Sequence, residues 1–355
     1  MDRKNIRLCF DEILPIPDLS ETLQTGKEFV SHGPDNNIPQ LLYEYYQDCY
    51  ILQSAINQTA DYISGAGIEI LSNETSIQVY TDDGNLIVSR ENETLTSLVN
   101  KLTLDYVLFG GLSFQIIYNK LGKIAELNYV DPRNIRLNED STKVFYNKNW
   151  GKYARNIKYF PTYSKENTKN SCIFYYKNPK SRGIYGRPFW NGALREVITL
   201  IEASKQNYND MINGFSPNVL ISFNNGVPPE DIQDEVEDAV IKKFSGSSGN
   251  KIMLIWNESK ENSPEISSFS TEDYTERYNT VLNTCRNAIL ASFRCSGQLL
   301  GVLPEQTGFN SVEYEGAFKL FKTTVIQPIQ NEIEDVFKQI GINIKLKEFE
   351  IDFSN

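Results

Sequence analysis

The residues able to carry chemistry are few and scattered. The chain of 355 residues has one histidine, His32, inside the segment SHGPDNN. A lone histidine cannot assemble a His-rich zinc site, and an HExxH motif is absent. No Ser or Cys motif stands beside His32 to use it as a general base, so a polar-turn residue is the simpler reading. A GxxxxGK-Ser/Thr loop is also absent, and SGSSGNK (245–251) has the wrong spacing for a phosphate cradle. TDDGN (81–85) sets carboxylates beside a glycine but lacks the spacing and terminal Glu of an EF-hand loop.

Two carboxylate groupings remain. The run EDIQDEVED offers Glu230, Asp231, Asp234, Glu235, Glu237 and Asp238 as ligands, although a solvated helix face is the ordinary reading of such a run. Asp105, Glu126 and Asp131 surround a hairpin and are the group from which an enzyme site could be built. Tyr43, Tyr45, Tyr46 and Tyr50 share one helical stretch, where packing is commoner than base stacking. Cys9, Cys49, Cys172, Cys285 and Cys295 are scattered with no CxxC pair, so they read as reduced thiols acting as small hydrophobes. No catalytic cluster, metal site or cofactor site is expected.

The elements that must position these residues follow from periodicity and turn chemistry. Apolar residues at three- and four-residue intervals predict a helix from Pro39 to Ser64, stopped by SGAG. GIEIL reads as a strand, and IQVYTDDGNLIVS as a hairpin turning at 82–85. A helix over 92–109 ends at Gly110-Gly111, and 113–137 reads as two strands around NKLGK, closed by Asp131-Pro132. Further strands are expected at 143–147, 155–163 and 172–178, with residues 1–35 mostly irregular. SRGIYGRP then opens a long helix that ends at Asn213-Gly214. Residues 214–270 read as strand, acidic helix and strand, the helix begun by Pro228-Pro229. The last third is a helix (TEDYTERYNTVLNTCRNAILASF), a break with Gly297, Gly301 and Gly308, and a second long helix. Pro328 lies inside that second helix and should kink it, because proline removes an i→i−4 bond.

Composition sets outer limits. No run of eighteen apolar residues exists, so no membrane span is expected, and the N-terminus lacks the apolar region of a signal peptide. The net charge of −11 argues against a protein that grips DNA by its phosphates, which would normally be basic.

Five segments, in order, resemble portal proteins of tailed double-stranded DNA phages, of the siphovirus-like type. They are DNNIPQLLYEYYQDCYILQSAINQTADYISGAGIEI, LTLDYVLFGGLSFQIIYNKLGKIAELNYVDPRNIRL, YGRPFWNGAL, RNAILASFRCSGQLLGV and GFNSVEYEGAFKLFKTTVIQPIQNEIEDVF. Each motif alone is weak, but five in the family's order are specific. The resemblance implies an α+β portal fold: a mixed α/β wing over 1–186, stem helix 187–213, clip 214–270, stem helix 271–294, tunnel loop 295–312 and a C-terminal wing segment 313–355. With the chain ending at Asn355, a reduced or absent crown is expected.

That resemblance further implies a ring, usually of twelve subunits, at one capsid vertex of the virion, assembled in the bacterial host cytoplasm. Double-stranded DNA would pass through it without sequence specificity. The terminase large subunit, a head–tail adaptor and the major capsid protein would be its partners, with no membrane. Leu299, Leu300, Val302, Leu303, Pro304, Glu305, Gln306 and Phe309 would belong to the DNA-facing loop. Glu272, Asp273 and Glu276 would line the stem channel, although acid at a helix start also suits the helix dipole. The acidic run 230–238 would face the connector. A capsid or adaptor protein without a channel, and a carboxylate enzyme built on Asp105, Glu126 and Asp131, are the alternatives.

Overall fold

The computed structural model describes residues 17–23, 26–150, 154–166, 171–212, 219–223, 228–229, 232–234, 236, 252–256, 271–300 and 311–349. The chain divides into two compact units, residues 1–198 with 286–355, and residues 199–285.

The first unit begins with a short antiparallel pair, β1 (Glu21–Leu23) and β2 (Val30–His32), in a stretch expected to be irregular. The helix expected over 39–64 is two helices, α1 (Ile38–Asp48) and α2 (Tyr50–Ser64). The break is a single residue: Cys49 turns extended (φ −107°, ψ 100°), its N–H closing α1 on Tyr45 O and its carbonyl opening α2. Apolar spacing does not register such a break, since Leu42, Tyr45, Cys49, Leu52 and Ile56 are buried on both sides of it. Gly65 ends α2 at φ +65°, where a Cβ would lie 1.9 Å from Lys347 O. Only glycine permits that crossing. The chain continues into β3 (Ile68–Asn73), which pairs antiparallel with β12 (Ile342–Leu346) from the far end of the sequence.

The hairpin expected over 77–89 forms as a short antiparallel pairing, with Thr81 N–H bonding Asn85 O and Ile87 N–H bonding Val79 O. Gly84 N–H bonds Thr81 O, and isolated bridges join Tyr80 to Leu86 and Ile87 to Thr94. Helix α3 (Leu95–Phe109) is capped by the Thr94 hydroxyl, which accepts from Ser97 N–H, and ends on Gly110 in the left-handed region. It feeds directly into β4 (Gly111–Tyr118), the centre of the antiparallel sheet β5-β4-β9, with β5 at Ile124–Tyr129 and β9 at Cys172–Lys177. A second sheet, β6-β7-β8, uses Ile135–Leu137, Lys143–Tyr146 and Lys158–Pro161.

Gly110 and Gly186 mark where the α3–β4 corner meets the YGRP turn. A Cβ on Gly110 would meet the Arg187 backbone at 2.2 Å, and one on Gly186 would meet Gly110 O at 2.1 Å. Trp190, fully buried, locks the crossing by donating its indole N–H to Val107 O at 2.9 Å. A 3-10 turn (Asn191–Ala193) then leads into α4 (Leu194–Ile212).

In the second unit, β10 (Val219–Phe223) and β11 (Ile252–Trp256) pair in parallel, from Val219 opposite Ile252 to Phe223 opposite Trp256. Parallel neighbours require a crossover rather than a hairpin. Residues 232–234 and 236 between them are helical, and the N–H groups of Ile232 and Gln233 bond Pro229 O.

Candidate functional site

The helix–break–helix of the last third is built from α5 (Thr271–Phe293), a 3-10 turn (Gly297–Leu300), α6 (Ser311–Phe321), a π-helical segment (Lys322–Ile326) and α7 (Gln327–Gln339). Glu272 and Asp273 lie in the first turn of α5, and Glu276 on its next turn is exposed. Further along, Cys285, Ile289, Leu290 and Phe293 are buried, with Phe293 edge-on to Phe189 at 5.3 Å. The helix stops where Arg294 adopts φ +54° and Cys295 N–H reaches back to Leu290 O. Burial pushes the Cys295 thiol up to about 12, so it stays protonated and inert.

Leu299, expected to face DNA, is 3% exposed. The 3-10 turn carrying it packs against α2 and α6, so this side chain anchors the loop's base inside the subunit instead. The backbone of Leu300 ends the same turn. Val302, Leu303, Pro304, Glu305, Gln306 and Phe309 lie outside the described residues. So do Glu230, Asp231, Glu235, Glu237 and Asp238, whereas Asp234 is exposed on its helical turn.

Pro328 is the second residue of α7, directly after the π-helical segment. Gln327 N–H bonds Lys322 O five residues back instead of four. A proline without an N–H cannot complete the four-residue ladder, and a widened turn ahead of it accommodates the missing bond. Thr323 and Thr324 donate their hydroxyls to the carbonyls of Lys319 and Leu320, within the same turns. The segment is braced from outside: Lys322 pairs with Glu348, which also accepts from Gln327 Nε2 at 2.9 Å. The Lys322 ammonium holds the Glu348 carboxyl below its usual range. On the inner side, Tyr62 of α2 sits edge-on to Phe318 at 5.4 Å and Phe321 at 6.1 Å. Phe337 of α7 stacks on Phe114 of β4 at 5.8 Å. The last third is therefore clamped at both of its later helices to the α2–β4 core.

Of the three hairpin carboxylates, Asp105 and Asp131 lie near enough to act on each other and on Tyr129, while Glu126 is paired elsewhere. Glu126 accepts from Arg90 Nε at 2.6 Å, and Asp131 is engaged by Arg133 while its Oδ1 caps the 3-10 turn that follows. Asp105 is buried beside Tyr129, and burial raises its pKa well above the usual value. Glu126 and Asp131 are each held in an ion pair with an arginine, so the enzyme alternative keeps no free set of three acids. A groove of about 280 Å³ lies elsewhere, lined by Ile68, Ile70, Tyr80, Leu86, Leu95 and Thr96.

His32 is not a polar-turn residue. It lies in β2, 8% exposed, with its ring stacked on Tyr185 at 4.3 Å and 6°. Burial, and then the charges of Arg136 and Arg187, hold its pKa well below 6.5. Of the helical tyrosines, Tyr45 is fully buried and Tyr50 is exposed, while Tyr43 carries the Arg133 guanidinium over its ring at 3.9 Å. Cys49, Cys172, Cys285 and Cys295 are buried.

The architecture defines a class: an α+β body with a parallel strand-crossover-strand unit inserted in sequence between two long helices, and a turn-linked helical return to the core. It matches portal structures. A crystal structure of an HK97 family phage portal protein from Corynebacterium diphtheriae superposes with a TM-score of 0.50, at 12% identity over 86% of this chain and 94% of that one. The neck of a native gene transfer agent particle, computed with C12 symmetry, matches with a TM-score of 0.54, at 14% identity over 89% and 86%. The virion of the native gene transfer agent particle matches at 0.52, with 14% identity over 86% and 83%. Among proteins of curated function, none matches the sequence. The family model described as phage portal protein covers residues 51–354, and the chain belongs to that family.

Proposed function

We propose that the chain is the repeating subunit of a ring at one capsid vertex, the conduit through which a double-stranded DNA genome is packaged and ejected. The observation that carries this reading is the family match across residues 51–354, joined to a fold match along most of the chain. Twelve copies per ring is the expected number, in keeping with the C12 symmetry of the similar neck. Residues 187–213 and 271–294 would be the stem, 214–270 the clip that meets the terminase large subunit and the head–tail adaptor, and 295–312 the tunnel loop. The wing, 1–186 with 313–355, would meet the major capsid protein. Assembly would take place in the host cytoplasm.

A conduit must not trap its cargo. An acidic chain lacks the density of Lys and Arg that counterion-release binding needs, so an acidic channel wall lets phosphates pass. Exposed Glu276, with Glu272 and Asp273 one turn before it, suits that wall. The stretch from Gly301 to Phe309 has one acid, Glu305, and no base, which suits apolar, weakly gripping contact. Buried Leu299 would hold the loop's base while the rest shifts.

Electron microscopy of the purified protein tests the ring: end-on views should show a central hole wide enough for duplex DNA, and uniformly monomeric or closed particles would sink the proposal. For the loop, Leu303→Lys or Glu305→Lys should slow packaging or raise salt-dependent DNA retention. Unchanged behaviour in both variants would remove the loop from the channel.

A further inference from the structure

The acidity of this chain is unevenly distributed. Between Ser141 and Arg195 the sequence holds twelve Lys and Arg and one acid, Glu166. That leaves 23 of the 35 Lys and Arg, but 45 of the 46 Asp and Glu, to the other 300 residues. The block spans β7, β8, β9 and the turn that opens α4. Part of it joins one small core, in which Val144, Ile173 and Tyr185 are buried, with Tyr146, Phe160 and Ile184 packed against them.

The cations of the block are available. Lys143, Lys148, Arg155 and Lys158, on β7, the β7–β8 connection and β8, are exposed, as are Lys180, Arg182 and Arg187 on the turn before α4. Among the described residues of the block, one ion pair forms, Lys143 to Glu28 at 3.8 Å. Arg187 donates to Leu19 O, a neutral acceptor. Tyr159, beside Lys158 on the edge strand β8, is 70% exposed. Lysine on an edge strand deters strand pairing, but that explanation does not reach Lys180 and Arg182, which lie outside the sheet.

We propose that this block binds the phosphate backbone of double-stranded nucleic acid, without sequence preference, at a surface separate from the channel. The choice of a nucleic acid over a protein partner rests on composition. Lysine is depleted at protein–protein interfaces, whereas unpaired exposed Lys and Arg with few acids between them are the footprint of phosphate binding. Tyr159 adds an aromatic ring and hydroxyl at the same strand. With twelve cations to one acid, the block strongly reverses the bulk acidity, so a protein built to let DNA slide would hold it here. The inference goes beyond the conduit reading and stands on different residues.

The test exploits topology. A covalently closed DNA circle cannot thread a preformed ring, so its binding reports the outer surface. Purified full-length protein is mixed with a fluorescent circle, or with its linearised form, at about 50 mM and about 200 mM salt. Four phosphate contacts imply roughly a 100-fold loss of affinity across that range. The circle and the linear form should bind alike. The combined variant Arg155→Gln, Lys158→Gln, Lys180→Gln and Arg182→Gln should lose at least tenfold at the lower salt. Its oligomeric state by mass photometry should equal that of the wild type, because these side chains make no internal bond among the described residues.

Binding of the linear form alone would overturn the proposal, since it would place all contact in the channel. So would a variant that binds the circle as well as the wild type. A wild type that ignores the circle, with a variant that fails to assemble, would reassign the cations to contacts between copies. Micrographs showing rings alongside any of these results would leave the conduit reading intact.

Discussion

Arg136 in β6 and Asp105 in α3 are both buried charged groups in the same unit, 1% and 5% exposed, and the structure accommodates them by opposite means. Arg136 lies in the cation-rich β flank and has no carboxylate partner among the described residues. Its guanidinium instead donates to Asn36 Oδ1 at 2.5 Å, Asn36 O at 2.6 Å, Arg133 O at 3.2 Å and Ile135 O at 2.6 Å, and it sits over the Trp150 ring at 4.9 Å. Burial lowers its pKa only to about 10, so it stays charged. Asp105, in the helical layer, leaves Oδ2 without a hydrogen-bond partner and takes up a proton more readily instead. A guanidinium offers five donors in a fixed fork and keeps its proton, so it must be solvated by the fold. A carboxyl can respond to burial by becoming neutral.

Breaking the Arg136 network should have the largest effect. Arg136→Met preserves much of the stem's volume but strips donors from buried carbonyls, and should cost about 3 kcal/mol or more in chemical denaturation. Arg136→Lys should recover little of it, because one ammonium cannot span acceptors arranged for a planar fork. A fully stable Lys variant would show that charge alone matters there.

Asp105→Asn should do the reverse and stabilise. Below the ordinary carboxylate pKa, Asp105 is protonated in both the folded and unfolded chain, so the variant gains little. As pH rises, the unfolded carboxyl ionises first and wild-type stability falls, until the raised folded pKa is passed. The advantage of Asn should therefore grow with pH, by no more than about 1.4 kcal/mol per unit. Thermal unfolding at acid and mildly alkaline pH checks this, and a gain independent of pH would mean that Asp105 is ionised in the fold.

His32, next to the Arg136 network, sharpens the comparison from the basic side. Its folded pKa is depressed, so its contribution is intact above about 6.5 and is lost as pH falls towards the folded value. His32→Phe keeps a ring for Tyr185 and should flatten the acid limb of the stability profile, with little change at pH 8. An unaltered acid limb would exclude His32 as its source. The smallest effect should come from the exposed cations: Lys180→Gln with Arg182→Gln should stay within about 0.5 kcal/mol of the wild type in stability.

Much of this fold was readable because its signals are local. The Thr94 cap, the Gly110 stop and the Asp131-Pro132 closure of the β4–β5 hairpin depend on one or two residues and appear where their chemistry places them. The break at Cys49 was not readable, because one extended residue leaves the apolar spacing unchanged. The TDDGN hairpin formed but stayed short: Tyr80 and Leu86 pair across the turn, and Ile87 then also bridges to Thr94. The burial of His32 depends on Tyr185, which is 153 positions away in sequence. The cationic block was present in the sequence throughout, hidden by a net charge that averages it against 45 acids.

The sequence by itself determined the order of elements, the run of five family motifs, the scarcity of catalytic groupings and the position of Pro328. Those follow from spacing, residue type and backbone sterics, which act within a few residues. Only the tertiary structure decided that Glu126 pairs with Arg90, that Leu299 turns inward, and that Asn36 solvates Arg136. Each of these depends on which groups far apart in sequence arrive within a few ångströms, and hydrogen bonds and desolvation act only at that range.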